Sequence, residues 1–415
     1  MNISLPYGRK KIEIEVPDDR LGTVIRPREK DKYTVETLLS TSFSKSHSSG
    51  SIKDFIQGDT VYLLNDGTRP TPTSDVLNYL DNHFELSSSS PQFLIATGSH
   101  RSPTGKELRQ ILGSRFGGQS ERVHAHDARE SDCVFLGETS RGTPVEINRR
   151  VVEAEKAVII TSVEPHYFAG FTGGRKSILP GVSSYDTIEA NHHLYFEPGS
   201  DVLNLSSNPV HLDMVEALDL LDTELFAINI VLDRDHDPYS IHTGDVVEGL
   251  NRAGADAREI FVGKIDSKAP IVVTAASFPM DIDLYQSQKA LANGQYALSS
   301  GGIIILVSQC RAGVGNEEFL ELLSSRDDPE EVLEKIKEEY HLGYHKAASI
   351  AELAGKAEIW GFTDLPARDL DRAGIKPLSD LGAVLQEAME LRSGPVHIIP
   401  DGSMTVPQLS SSASA

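Results

Sequence analysis

The segment AVIITSVEPHYFAGFTGGRKSILPGVSSYDTIEANHHLYF, residues 157–196, decides the fold prediction. It starts as an apolar strand, passes through a loop rich in glycine, and ends in a helical pattern for which Ser183 or Ser184 is a suitable N-cap. The same order of strand, loop and helix begins at VYLL (61–64) and again at FLIAT (93–97). Repeated units of this kind predict an α/β fold with a mostly parallel sheet.

The pattern restarts after residue 268, with APIVVTAASF as a new strand. A chain of 415 residues has room for two or three domains at roughly 150 residues each. We therefore predict two α/β domains with mostly parallel sheets and an active-site cleft between them. The predicted parts are an N-terminal domain (1–252), a linker (253–268), a smaller C-terminal domain (269–376), and a final helix and tail (377–409) that can pack back on the first domain.

The composition argues against several kinds of partner. There are 61 acidic and 39 basic side chains, which give a net charge of −22 and disfavour nucleic acid or an anionic membrane. Cys133 and Cys310 are the only cysteines, too few for a disulfide framework or a thiolate metal cage. The first residues, MNISLPYGRKKIEIEV, lack the apolar stretch of a signal peptide. We expect a cytoplasmic protein.

Ionisable side chains follow three successive predicted strands. In open α/β sheets ligands bind outside the carboxyl ends of the strands, so these loops should converge on one crevice. One such residue alone would be interpreted as a helix cap or a loop-stabilising group. Three loops together favour a binding or catalytic site. The residues are Asp66, Thr68 and Arg69, then His100 and Arg101, then His166 and Lys176.

The loop GFTGGRKS (170–177) resembles a phosphate cradle without being a Walker A motif, because Arg175 stands directly before Lys176. Gly173 and Gly174 would permit a ligand to approach the backbone closely. The loop therefore predicts a phosphate-bearing ligand other than a nucleoside triphosphate.

Two predicted helices carry further candidates. Tyr285, Gln286 and Lys289 are spaced so that phenol, amide and amine form one polar patch, although a solvated helix face has the same spacing. His192 and His193 lie about 100° apart on a helix, so one of them should face the site.

A rival interpretation starts from His124 and His126 in the motif H-x-H-D. On a strand the two imidazoles share a face and could bind one metal, which would suggest a metal-dependent hydrolase that also uses His100. No paired carboxylates complete such a site, and a histidine hydrogen-bonded at a sheet edge is the simpler explanation.

Taken together, these residues resemble the nickel-dependent lactate racemase family, whose members carry a nickel-pincer nucleotide and act as 2-hydroxyacid racemases or epimerases. The motifs agree in order and spacing from residue 65 to residue 291, about half of the chain. They are NDGTRPTP (65–72), ATGSHR (96–101), EPHYFAGFTGGRKSILPG (164–181), TIEANHH (187–193) and LYQSQKAL (284–291).

The resemblance implies a role for each candidate. Lys176 would carry the cofactor, a pyridinium-3,5-bisthiocarboxylic acid mononucleotide with Ni(II), through a thioamide link. His192 would complete square-planar nickel coordination, a geometry that suits this ion. His100 and His166 would be the catalytic pair. The remaining positions would contact cofactor and substrate (Asp66, Gly67, Thr68 and Arg69) or substrate alone (Tyr285, Gln286 and Lys289).

The implied reaction is racemisation of a 2-hydroxy acid by hydride transfer through a 2-keto acid. The cofactor would supply the hydride acceptor, while two imidazoles alternate as base and acid. Enzymes of cofactor synthesis would be partners. The substrate is left open among lactate, larger aliphatic or aromatic acids, dicarboxylates and sugar acids; Tyr167, Phe168 and Trp360 suggest an apolar wall. A non-catalytic relative that binds an anionic metabolite is the second alternative.

Overall fold

The computed structural model describes residues 1–29, 31–44, 51–116 and 120–410. The chain forms two units, which are named here by their place in the sequence. The central unit is Glu29–Ile260, and the terminal unit combines Met1–Arg28 with Phe261–Ala415. In the described part of the chain, no helix is both long enough and apolar enough to cross a membrane.

The chain begins with three strands, β1 (Asn2–Tyr7), β2 (Lys10–Glu15) and β3 (Leu21–Val24). β1 and β2 pair as an antiparallel hairpin, and the alternating apolar residues of this hairpin are buried with the strands of the terminal unit. The expected assignment of residues 1–28 to the first domain therefore differs from the structure. The reason is a long-range contact, because period-two alternation shows which face is buried but not against which sheet.

The central unit alternates strands and helices along the chain. Its strands are β4 (Thr60–Asn65), β5 (Gln92–Ala96), β6 (Val123–Ala125), β7 (Cys133–Glu138), β8 (Pro144–Asn148), β9 (Lys156–Val163), β10 (Pro165–His166), β11 (Gly170–Phe171), β12 (Glu224–Leu232) and β13 (Pro238–Gly244). Its helices are α1 (Val35–Ser44), α2 (Ile52–Ile56), α3 (Thr73–Phe84), α4 (Gly105–Phe116), α5 (Arg149–Val152), α6 (Tyr185–His193), α7 (Pro209–Asp219) and α8 (Val246–Phe261).

Six of these strands form one sheet in the order β13-β12-β9-β4-β5-β6. All neighbouring pairs are parallel except β12 with β13. β4, β5 and β9 are buried almost throughout, as expected for strands covered on both faces. The mostly parallel α/β sheet is confirmed. Because β9, β4 and β5 are adjacent, the three loops with ionisable residues leave the same edge of the sheet.

The terminal unit adds the strands β14 (Val262–Ile265), β15 (Ala269–Ala275), β16 (Leu298–Val307), β17 (Glu358–Phe362), β18 (Lys376–Leu378), β19 (Val396–Ile399) and β20 (Val406–Leu409). Its helices are α9 (Leu284–Gly294), α10 (Glu317–Leu323), α11 (Pro329–Glu338), α12 (His345–Ala354), α13 (Ala367–Arg372) and α14 (Leu381–Leu391). A six-stranded parallel sheet runs β18-β17-β16-β15-β19-β3.

The amphipathic face of α14, with Leu381 and Leu385, is buried in the core of the terminal unit, together with Leu5 and Ile14 of the N-terminal hairpin. Two expectations about the second half of the chain need correction. Trp360 is 1% exposed in the same core, and so it is not a pocket wall. In addition, the segment expected as a linker, 253–268, is the end of α8 followed by β14.

Candidate active site

The loop after β4 is a tight turn organised by a buried carboxylate. Oδ1 of Asp66 accepts hydrogen bonds from the main-chain nitrogen and the hydroxyl of Thr68, at 3.0 and 2.6 Å. Gly67 is exposed and lies against the side chain of Glu107. The turn therefore holds Asp66 beside the end of β5. Arg69 lies at the same edge of the sheet.

His100, after β5, is the partner of this carboxylate. Its Nδ1 atom lies 2.7 Å from Oδ2 of Asp66, and its side chain is 55% exposed. Burial alone would raise the pKa of Asp66, but the hydrogen bonds from His100 and Thr68 outweigh burial and hold that pKa below its usual value. Asp66 is therefore a carboxylate at neutral pH, which fixes the proton on Nδ1 of His100 and leaves Nε2 as the basic nitrogen.

Arg69 reaches the third loop. Its guanidinium forms an ion pair with Glu164, the first residue after β9, and both side chains are mostly buried. Glu164 had no predicted role, although an acid directly after a buried strand is the positional signal that singled out the other site residues. Arg101, by contrast, forms an exposed bidentate ion pair with Glu107 on α4, so it stabilises the start of that helix.

The segment after β9 is a small hairpin followed by a 3-10 turn, Gly174–Ser177. His166 lies on the hairpin and Lys176 on the turn, with Nε2 and Nζ 3.5 Å apart. The imidazole of His166 and the amine of Lys176 both lie beside the buried ring of Phe168. The centroid of that ring is 4.6 Å from the centroid of His166 and 5.6 Å from Nζ of Lys176.

Arg175, Gly173 and Gly174 have structural roles within this loop. Arg175 is fully buried and donates to the carbonyls of Ala169 and Phe171, among others, so it ties the hairpin to the turn. A Cβ at Gly173 would lie 2.4 Å from Val163, and one at Gly174 would lie 2.9 Å from the main-chain oxygen of Val246. The two glycines therefore allow the loop to pack closely against β9 and α8, whereas the sequence analysis expected them to allow close approach of a ligand.

His192 is on α6, which begins after Ser184, whose side chain accepts a hydrogen bond from the nitrogen of Thr187. His192 is buried, and its ring centroid lies 5.1 Å from that of Phe168. His193 is exposed. The helix thus presents one histidine inward, as predicted, and places it on the same aromatic ring as His166 and Lys176.

The rival metal pair is not supported by the geometry. Both ring nitrogens of the buried His126 are engaged, with Nε2 2.8 Å from the carbonyl of Ser183 and Nδ1 3.1 Å from the amide nitrogen of Asn148. Over the described ranges, no group of three or more His, Cys, Asp or Glu side chains could hold a metal ion. His124 and His126 are therefore a sheet-edge residue and a structural residue.

The predicted patch on the terminal unit lies in the first two turns of α9. Asp283 caps this helix by accepting a hydrogen bond from the nitrogen of Gln286 at 2.7 Å. Gln286 and Lys289 are partly buried, and Nζ of Lys289 lies 3.6 Å from the sulfur of Met280. Tyr285 packs edge-to-face on Phe319, so the face is partly buried rather than fully solvated.

Comparisons with known proteins cover nearly the whole chain. The profile of the lactate racemase N-terminal domain matches residues 7–202, and that of the lactate racemase C-terminal domain matches residues 264–405. The lactate racemase of Thermoanaerobacterium thermosaccharolyticum is 30% identical over 420 residues, with 97% of this chain and 98% of that protein covered. The lactate racemase of Lactiplantibacillus plantarum is 30% identical over 426 residues, covering 96% and 98%.

Solved structures agree as well. The lactate racemase apoprotein from T. thermosaccharolyticum superposes with a TM-score of 0.90 at 29% identity, covering 98% of this chain and 100% of the other. A Thermotoga maritima protein, at 18% identity and a TM-score of 0.67 with 92% and 100% covered, shares the fold. The fold and these relatives define an isomerase built from two α/β domains. The chain belongs to the lactate racemase family.

Proposed function

We propose that the chain racemises a 2-hydroxycarboxylate, with lactate as the first candidate, by reversible removal of a proton and a hydride through a 2-keto acid. The observation that carries the proposal is the His100–Asp66 pair at one strand end, with His166 and Lys176 at a nearby strand end of the same sheet. Membership of the lactate racemase family supports this reaction and this substrate.

The residues fit a nickel-pincer nucleotide. Lys176 is a partly exposed amine on a turn whose neighbouring residues are buried, which suits covalent attachment. His192 supplies one buried imidazole, so a nickel ion held here would take its other ligands from the cofactor, as a pincer provides. When bound, the nucleotide would supply the electrophilic carbon that accepts a hydride.

His100 serves as one of the two bases. A carboxylate on Nδ1 orients the ring and stabilises the imidazolium that forms when Nε2 takes the hydroxyl proton, as in other Asp–His pairs. With one enantiomer His100 removes the proton, and with the other it returns one. Asp66 acts through His100 in both directions.

His166 is the base for the other enantiomer of the substrate. Two enantiomers with a common carboxylate position and a common C2–H direction place their hydroxyl groups on opposite sides, so a second base is required. The ring of His166 is fixed edge-to-face on Phe168, and Nδ1 lies 3.3 Å from the nitrogen of Ala169, which can donate to it. That contact fixes the orientation of the ring, with Nε2 on the side of Lys176.

The substrate carboxylate requires cations. Arg69 can bind it with two nitrogens once its ion pair with Glu164 opens. Tyr285, Gln286 and Lys289, on α9, are the further candidates for substrate binding that the family resemblance implies. Asp66, Gly67, Thr68 and Arg69 also line the cofactor position. We place the reaction in the cytoplasm, with the enzymes of cofactor synthesis as partners that load Lys176.

The test uses protein produced together with those enzymes. We expect conversion of L-lactate to D-lactate and the reverse, and a loss of about 10²- to 10⁴-fold in either direction for His100→Ala and for His166→Ala. His193→Ala, which changes the exposed neighbour of His192, is the control. Wild-type rates from either active-site variant would contradict the acid–base assignment. Lactate binding without conversion by loaded protein would instead support the non-catalytic alternative.

A further inference from the structure

Glu164 binds the side chain that the proposed function assigns to the substrate carboxylate. It is the first residue after β9, and its carboxylate forms an ion pair with the guanidinium of Arg69. Both side chains are mostly buried, so water screens this pair less than an ion pair at the surface. Arg69 therefore already holds a carboxylate of the protein itself.

The main chain on both sides of this ion pair is fixed by hydrogen bonds. At the end of β4, Oδ1 of Asn65 accepts hydrogen bonds from Oγ1 of Thr71 at 2.8 Å and from the nitrogen of Ser162 at 3.1 Å. These bonds tie the loop after β4 to β9. Oγ1 of Thr172 accepts a hydrogen bond from the nitrogen of Glu164 at 2.9 Å, and the nitrogen of Thr172 donates to the oxygen of Glu164 at 2.8 Å. The ion pair therefore opens by rotation of side chains, while the main chain stays in place.

A substrate carboxylate has to compete with Glu164 for Arg69. A guanidinium that already pairs with one carboxylate attracts a second one less, because the two negative charges repel each other. The apparent affinity of a ligand falls by the fraction of the protein in which its binding group is free. The carboxylate of Glu164 therefore weakens the binding of a 2-hydroxy acid that uses Arg69.

A dicarboxylic substrate meets a second obstacle at the same place. Its first carboxylate would pair with Arg69, and its second would lie within the length of one small molecule from the displaced Glu164. The fixed main chain keeps Glu164 at this edge of the sheet after the ion pair opens. Like charges a few ångströms apart in partly buried surroundings repel strongly. A monocarboxylic substrate brings no such second charge.

We propose that Glu164 determines the substrate class of this site: it competes with the substrate for Arg69 and favours monocarboxylic 2-hydroxy acids over dicarboxylic ones. This rests on the proposed function, because it takes Arg69 as a contact of the substrate carboxylate. Among the substrates that the sequence leaves open, the dicarboxylates are thereby disfavoured.

The experiment is titration calorimetry of the cofactor-loaded protein with two ligands that have no hydrogen on C2 and therefore cannot lose a hydride. 2-Hydroxyisobutyrate has one carboxylate, and citramalate is the same molecule with a carboxymethyl group in place of one methyl group. We expect the wild type to bind 2-hydroxyisobutyrate more tightly than citramalate. Glu164→Gln keeps the shape of the side chain and removes its charge. This variant should bind 2-hydroxyisobutyrate about tenfold more tightly and citramalate about a hundredfold more tightly, so that the selectivity falls about tenfold.

Glu216→Gln is the matched control, because the Arg141–Glu216 pair is similarly buried and includes none of the candidate site residues. It should leave both affinities unchanged. Tighter binding of citramalate than of 2-hydroxyisobutyrate by the wild type would overturn the inference. So would an affinity for 2-hydroxyisobutyrate, or a selectivity between the two ligands, that is the same in Glu164→Gln and the wild type. If Glu164→Gln does not fold, the preference of the wild type decides.

Arg69→Met separates this inference from the proposed function. If Arg69→Met weakens the binding of 2-hydroxyisobutyrate and Glu164→Gln does not strengthen it, only the role of Glu164 fails. If Arg69→Met binds this ligand as tightly as the wild type, the carboxylate contact of the proposed function fails too. The catalytic roles of His100 and His166 are decided by their own variants.

The double variant Arg69→Met, Glu164→Gln tests whether Glu164 acts through Arg69. We expect it to bind 2-hydroxyisobutyrate no more tightly than Arg69→Met alone, because the double variant has no guanidinium to release. A tenfold gain in affinity that persists without Arg69 would contradict the competition.

Discussion

Asp66 accepts a hydrogen bond from Nδ1 of His100 across 2.7 Å, between the ends of two adjacent parallel strands. The loop after β4 and the loop after β5 thereby form one functional unit. Replacement of Asp66 by Asn keeps the shape of the side chain but permits the wrong tautomer of the imidazole. We expect kcat to fall about 10²- to 10⁴-fold with a smaller change in KM.

Steady-state kinetics in both directions would check this expectation. Asp75→Asn, an exposed carboxylate at the start of α3, is the matched control. A kcat of Asp66→Asn within a few-fold of the wild type would show that Asp66 does not act through His100.

The Arg69–Glu164 pair predicts a second effect. Arg69→Lys loses the fork that can bind a carboxylate with two nitrogens, so KM for lactate should rise about tenfold, while kcat changes less. Arg141→Lys is a close control, because the Arg141–Glu216 pair is similarly buried and includes none of the candidate site residues. Equal KM values for the Arg69 and Arg141 variants would show that Arg69 does not bind the substrate.

A comparison of alanine substitutions at Gly173 and Gly142 separates the effect of backbone strain on stability from the effect of steric overlap. Both have positive φ, +92° and +79°, but a Cβ at Gly173 would overlap Val163 whereas one at Gly142 would meet nothing within 4 Å. We expect Gly142→Ala to destabilise folding by about 1 kcal/mol. Gly173→Ala should destabilise by about 1–3 kcal/mol more. Denaturant unfolding measures the difference; equal losses would show that the β9 contact does not require glycine.

His211 on α7 predicts a dependence of stability on pH. Burial, with help from Arg175, lowers its pKa to about 3, whereas the unfolded chain keeps the usual 6.5. The unfolded chain therefore binds more protons between these values, and stability is lost as the pH falls below about 6.5. His211→Leu should reduce the slope of the free energy of unfolding against pH by up to about 1.4 kcal/mol per pH unit. The exposed His83→Leu is the control, and identical slopes for the wild type and His211→Leu would refute the prediction.

Much of the site follows from the sequence because it depends on local order. Asp66, His100 and His166 come within about four residues of the end of an apolar strand, and strand ends in a parallel sheet share one edge. The inward His192 follows from helix periodicity. These inferences need no knowledge of long-range packing.

The remainder depends on contacts between distant segments. The ion pair of Arg69 with Glu164 joins residues far apart in the chain, and so does the burial of residues 1–28 with the terminal sheet. The role of Gly173 was also beyond sequence reasoning, because a glycine that fits against Val163 has the same local pattern as one that fits a ligand.

The central claim is that Lys176 carries the cofactor, and intact mass with nickel content tests it most directly. Protein produced with the cofactor-synthesis enzymes should carry one pyridinium mononucleotide and about one nickel per chain, and peptide mapping should locate the adduct on Lys176. Lys176→Arg should lose adduct, nickel and racemisation together. Lys156→Arg, at the start of β9, should keep all three. An active Lys176→Arg protein with the same mass increment on another residue would contradict the account.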